Sequence, residues 1–215
     1  MLYYKRYKRR FSMLKLLGVC IIAALITTVL FFEGQVAEYK PIFVQNQAVS
    51  VSNKAVCKAV EETLRNNSYS YDRLAKVVYS EKGTVTAIET DSVLINKLKA
   101  EITGAAQKEL EKLRECEVKI PLGAFTDLTL LSNAGPEISV NFTITGNFNC
   151  KIESSFESAG INQTIHHIRL TVFTEIITTS MDHSGSVSFS TDFELAQSVI
   201  VGEVPSGYGE LYRSY

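Results

Sequence analysis

Seventeen uncharged residues in a row, Leu16 to Phe32, constrain this chain more than any other feature in it. With Met13 and Leu14 added around Lys15, the run reaches the ~20 residues that a helix needs to cross a bilayer. Lys5, Arg6, Lys8, Arg9, Arg10 and Lys15 all precede the run, and the first acidic residue is Glu33. That asymmetry predicts an amino terminus in the cytoplasm and everything after residue 33 outside it. The chain is therefore expected to divide into a basic cytoplasmic tail at 1–13, a transmembrane helix at 14–32 and an extracytoplasmic α+β domain at 33–215. A cleaved signal peptide is the competing reading. It is disfavoured because Gln35-Val36-Ala37 does not have the small-residue spacing of a cleavage site, and the apolar run is longer than a usual signal core. Cys20 lacks the setting of a lipoprotein cysteine, since Val19 precedes it and most of the apolar run follows it.

The formal net charge of −1 hides a split. Six of the 22 basic residues precede the apolar run, five in the tail and Lys15 at its edge, which leaves 16 against 23 acidic residues for the exported part. A negative exported domain argues against nucleic acid as its partner. The tail cations can meet anionic lipid headgroups at ~1 kcal/mol each, although setting the topology is sufficient reason for them. With 46% hydrophobic and 21% charged residues, the chain can bury one substantial core. Cys20, Cys57, Cys116 and Cys150 include no CxxC pair. They suggest buried thiols before a disulfide framework, and exclude a cysteine zinc site.

Beyond the membrane run, apolar residues recur at loose helical intervals from Gln35 to about Asn66, with Pro41 expected to begin or kink a segment. Leu74–Tyr79 and Thr84–Thr90 are rich in β-branched and aromatic residues and flank Ser80-Glu81-Lys82-Gly83, which predicts a hairpin. Thr90 or Asp91 can cap a helix over about 92–115 that places Leu94, Leu98, Ile102, Ala106, Leu110 and Leu113 on one face. Strict alternation then begins: Ile138, Val140, Phe142, Ile144, Phe148, Cys150, Ile152 and Phe156 are separated by polar residues. A straight strand of that length would reach ~60 Å, so a bend or bulge is expected near Gly146. A second alternating run carries Ile168, Leu170, Val172 and Ile176, and a third carries Val187, Phe189, Phe193 and Leu195. Three long antiparallel strands with one apolar face complete an α+β fold: a transmembrane helix, a helix–hairpin–helix region and an antiparallel sheet.

No catalytic, cofactor-binding or metal-binding set stands out. His166 and His167 are strand neighbours that point to opposite faces, so they cannot share a metal, and His183 sits in a predicted turn. All three are expected to be solvated or half-buried. Asp127, Ser132 and Asn133 suit capping or loop roles, while Glu153, Glu157, Glu175 and Asp192 suit solvation and edge protection. There is no G-x-S-x-G, Walker-type loop or H-E-x-x-H. The N-x-[ST] triplets at Asn66, Asn141 and Asn162 are incidental.

The run Ile120-Pro121-Leu122-Gly123-Ala124-Phe125-Thr126-Asp127-Leu128-Thr129-Leu130-Leu131-Ser132-Asn133-Ala134-Gly135-Pro136 with its continuation to Val140 resembles a segment of the YunB family of sporulation membrane proteins. Gly160-Ile161-Asn162 and Gly202-Glu203-Val204-Pro205 are similar to two further landmarks of that family. The resemblance implies a role in forming the spore, from a mother-cell membrane facing the forespore, and assigns no catalytic residue. Gly135-Pro136 is read as a tight turn, Pro121 as a strand end and Gly123 as a site of unusual backbone angle. The leading expectation is a non-enzymatic, membrane-anchored structural or interaction protein of the developing spore envelope. It would be held by lipid through 14–32 and bind another protein, or its own copies, through the exported domain. The alternatives are a cell-wall or cortex hydrolase built on Asp127 with Glu153 or His167, and a ring or channel component between the two cells.

Overall fold

The computed structural model describes residues 2–67, 69–126, 129–160 and 162–202. Asp127, Ile161 and the closing segment from Glu203 onward lie outside the described residues, as do Ser68 and Leu128. The fold is α+β. Helix α1 (Leu2–Asn67) is continuous, with Pro41 inside it. Pro41 therefore does not begin a segment, which corrects that half of the expectation. A proline there forfeits one backbone bond, at ~3 kcal/mol, but the helix is held beyond it by the buried stripe Ala48, Ser52, Ala55, Val56, Ala59 and Val60. Among the described residues α1 is the one helix long and apolar enough to cross a membrane. Leu16, Leu17, Ile21, Leu25, Val29 and Phe31 all stand exposed along it.

A short helix, α2 (Tyr71–Leu74), leads into β1 (Ala75–Tyr79) and β2 (Val85–Thr90), which pair antiparallel as the hairpin signature predicts. The turn closes through Gly83 at φ 81°, with its N–H on the Ser80 carbonyl at 2.9 Å. Helix α3 (Ser92–Lys112) starts at Asp91, whose carboxylate accepts from the Leu94 N–H at 2.9 Å. Its inner stripe is Leu98, Ile102, Ala106 and Leu110, all buried.

The remaining strands are β3 (Glu115–Pro121), β4 (Glu137–Gly160), β5 (Gln163–Thr179) and β6 (Ser184–Val201), in the sheet order β3-β4-β5-β6. The expected meander is β4 to β6. β3 ends at Pro121, the strand end read from the sequence, and its body is marked by Cys116, Val118 and Ile120 alternating with Glu115, Glu117 and Lys119. No bulge occurs at Gly146: the β4–β5 register is unbroken from Thr143 to Ser158. The glycine serves close approach instead, because a Cβ there would lie 2.5 Å from the Glu175 carbonyl and 2.8 Å from Ile176 Cγ2. Gly146→Ala should lower stability by about 1–3 kcal/mol, read as a fall in the unfolding midpoint of the full chain in detergent; an unchanged midpoint would refute the contact. The irregularity lies in β6, where Ile168 faces Ala196 but Arg169 faces Glu194, leaving Leu195 as an inserted residue. Alternation therefore changes phase there. Val187, Phe189 and Phe193 share the inner face with Ala196 and Ser198, so the expected placement of Leu195 in regular alternation with Phe193 is corrected.

The chain gathers into two compact units, one of Met1–Asn46 with Glu117–Asn141, the other of Gln47–Cys116 with Phe142–Tyr215. In the first, Phe125 is buried between two α1 rings, Phe32 at 6.4 Å and Phe43 at 6.0 Å between centroids. A pair of short 3₁₀ turns, Leu122–Phe125 and Thr129–Leu131, is closed by Leu122 N–H on the Pro136 carbonyl and Gly123 N–H on the Ala134 carbonyl, both 2.9 Å. Gly135 has φ 93°, as a tight turn requires. Gly123 does not adopt a positive φ, which corrects the reading of an unusual angle: its missing Cβ would collide with the Leu131 carbonyl oxygen. In the second unit, buried Glu109 of α3 accepts from Lys58 of α1 at 2.9 Å and from Lys112. The bonds from Lys112 and then Lys58 hold its carboxyl below the usual range.

Candidate functional site

β4 and β5 are paired so that Phe156 lies opposite His166 and Ser154 opposite Ile168. All even-numbered residues here share the inner face, and His166 arrives among the buried Ile168, Leu170 and Val172. It is 0% exposed, which corrects the expectation of a solvated or half-buried side chain. Burial is tolerated because both ring nitrogens are used: Tyr71 Oη of α2 lies 2.7 Å from Nδ1 and Ser154 Oγ of β4 lies 2.6 Å from Nε2. Phe156 stacks on the ring at 4.7 Å. Ser198 of β6 is the register partner of His166 and shares its face of the sheet.

In a neutral imidazole one ring nitrogen donates and the other accepts, so the two hydroxyls take opposite roles toward the ring. With one hydroxyl on each ring nitrogen, the array is a lock that joins α2, β4 and β5. Burial lowers the His166 pKa, with the neighbouring His167 charge a second cause. Burial likewise pushes the Tyr71 phenol up.

His167 takes the opposite face, as alternation predicts, but it too is more buried than expected, at 7% exposure. Its Nδ1–H donates to Glu194 at 2.9 Å, and Arg169 Nε donates to the other oxygen of that carboxylate at 3.0 Å. Burial works against charge on Glu194, yet the bonds from Arg169 and His167 outweigh it and hold the carboxyl below its usual range. Glu157 approaches Nε2 at 3.4 Å. Glu153 pairs with Lys151 at 2.6 Å and Asp192 accepts from Thr171 at 2.7 Å. No group of three potential metal ligands converges among the described residues. Burial raises the pKa of Cys116 and of Cys150, whose Sγ accepts from Thr103 at 3.3 Å. Ser132 Oγ donates to the Thr129 carbonyl at 2.9 Å, a local turn bond of the kind expected for it.

The outer face of the sheet presents rows of small polar side chains around one aromatic ring. Asn149, Phe173 and Ser190 lie side by side, next to Asn147, Glu175 and Ser188, and together they line a shallow depression of about 510 Å³. Phe173 and Ile177 are exposed within this face. β6 ends the strand order, so among the described residues it has a strand neighbour on one side only, over 18 residues that include no proline and no lysine. Such an edge offers unpaired backbone donors and acceptors. The sequence reading anticipated this surface in general terms. It missed the His166 lock, because Tyr71 and Ser154 reach the ring only through tertiary structure.

Comparison with known proteins places the carboxy-terminal half. Residues 117–207 match the family model described as Sporulation protein YunB. The chain is similar to Sporulation protein YunB of Bacillus subtilis (strain 168), at 21% identity over 168 residues, covering 74% of this chain and 66% of that protein. No solved structure matches.

Proposed function

Through residues 117–207 the chain belongs to the YunB family of sporulation proteins, and from this we propose that it serves spore formation as a membrane-anchored, non-enzymatic interaction protein. α1 tethers it, with the basic tail in the cytoplasm and the rest outside, in a mother-cell membrane facing the forespore. The sheet recruits a protein partner, or a further copy of the chain, by adding a strand to β6. One observation carries this reading: an 18-residue terminal strand with no proline, no lysine and no strand neighbour on its outer side among the described residues. Side chains beside it on the outer face, Phe173 and the Asn and Ser rows, would confer specificity on what the backbone bonds hold.

The test is proximity labelling from the exported domain in sporulating cells, comparing the parent with Ser188→Lys/Ser190→Lys. Lysines on an edge strand oppose strand addition without touching the inner core. A set of labelled neighbours present in the parent and reduced about tenfold in the variant is expected, with unfolding midpoints equal to within about 1 kcal/mol. Identical neighbour sets from the two chains would defeat the proposal.

A further inference from the structure

We propose that the turn carrying Leu130 and Leu131 is a second membrane contact, seated in the interfacial layer beside α1. The inference rests on reading α1 as membrane-spanning, and it concerns a different segment. Leu130 is 98% exposed and Leu131 45%, adjacent on the 3₁₀ turn Thr129–Leu131. Single exposed leucines are ordinary, but two together on a short turn form a protruding apolar knob.

Its location supplies the occupant. Phe125 is clamped by Phe32, the last residue of the uncharged run, and by Phe43, about three turns further along the same face of α1. The turn is thus tied to α1 at the end of the segment that would lie in lipid. Leu130 is five residues from Phe125, no more than about 17 Å along the chain. The bonds from Gly123 to Ala134 and from Leu122 to Pro136 keep the intervening loop folded back. Lipid is continuous with the surface that α1 already presents there.

Two further properties suit the interface. From Ile120 to Pro136 the only ionisable side chain is Asp127. Backbone groups of the turn are also bonded internally, which lipid contact demands: Ala134 N–H donates to the Leu131 carbonyl at 2.8 Å, and the Thr129 carbonyl accepts from the Ser132 hydroxyl at 2.9 Å. An apolar tip on such a turn can enter the headgroup and acyl boundary to a depth of ~5–10 Å.

The chain contains no tryptophan, so a single introduced one reports without background. The full chain carrying Leu130→Trp, and separately Phe31→Trp, would be placed in vesicles of phosphatidylglycerol and phosphatidylethanolamine with acyl chains brominated near the headgroup. Both are expected to emit at blue-shifted wavelengths and to lose about twofold in intensity to the bromines. Quenching of Phe31→Trp with water-like, unquenched emission from Leu130→Trp would overturn the inference and leave the α1 reading standing. A blue-shifted but unquenched Leu130→Trp would mean that protein covers the turn, and would also overturn it. An unquenched Phe31→Trp would sink the membrane reading of α1 itself. Because tryptophan has its own affinity for interfaces, amide exchange provides the complement. In Leu130→Ser/Leu131→Ser the amides of 129–134 should exchange about tenfold faster in vesicles than in the parent, and equal rates would overturn the proposal.

Discussion

Gly123→Ala is expected to destroy the turn between Leu122 and Pro136 and to cost at least about 3 kcal/mol of stability, near the upper end of what overpacking does. The added Cβ would overlap the Leu131 carbonyl oxygen and come within 2.7 Å of the Ala134 carbonyl oxygen. Neither can retreat cheaply. The first accepts from Ala134 N–H and the second from Gly123 N–H, so moving either breaks a bond that closes the loop. Loss of the loop releases Phe125 from its place between Phe32 and Phe43 and removes the scaffold that displays Leu130. Gly104→Ala is the contrast, since no atom lies within 4 Å of a Cβ there and the position is inside α3. It should stabilise by up to ~1 kcal/mol through helix propensity. Denaturant unfolding and protease sensitivity of the two full-length variants in detergent measure both effects. A Gly123→Ala chain within about 0.5 kcal/mol of the parent would show that the carbonyl approach is not real.

Where an element is specified by its own neighbours, the sequence revealed it. The membrane run needs only length and absence of charge. α3 announces itself through the Asp91 cap and a four-residue apolar stripe, and β4 and β5 through parity held over many residues. β6 was legible as far as Phe193 and no further, because Leu195 is inserted by a bulge that pairing creates and local pattern does not announce. Pro41 does not start a segment because the tertiary stripe beyond it offsets the local penalty of one bond. Gly123 and Gly146 were recognised as special, but for the wrong cause. Sequence shows where a side chain is missing, whereas the reason, an angle or a near carbonyl, depends on which backbone comes alongside. The candidate surface follows the same rule. Its polar rows were visible in the alternation, and the His166 lock was not, since Tyr71 is 95 residues away in the chain.

That lock sets the other large expectation, a loss of stability on mild acidification that depends on one ring. His166 is fully buried and neutral, with the Tyr71 hydroxyl on Nδ1 and the Ser154 hydroxyl on Nε2. Burial, and secondarily the charge of His167, places its folded pKa below the ordinary value near 6.5. Between that value and the lower folded one, the unfolded chain holds a proton that the folded chain refuses. Stability therefore rises with pH through this window and falls as pH drops below about 6.5, by up to ~1.4 kcal/mol per pH unit for one proton. His166→Asn cannot titrate. It keeps at most one of the two bonds and leaves a void beside Phe156, so it should be less stable at pH 7 by about 3 kcal/mol. Tyr71→Phe, which leaves Nδ1 buried without its partner, should lose about 1–3 kcal/mol while the histidine still titrates. Unfolding of the three full-length chains followed by circular dichroism in detergent at pH 7 and pH 5 separates them, because every other titrating group is common to all. Parent and His166→Asn are expected to converge as pH falls, for the parent loses what the variant never had. Parallel pH profiles would show that His166 is not the neutral centre of this contact, and α2 would then be held to the sheet by packing alone.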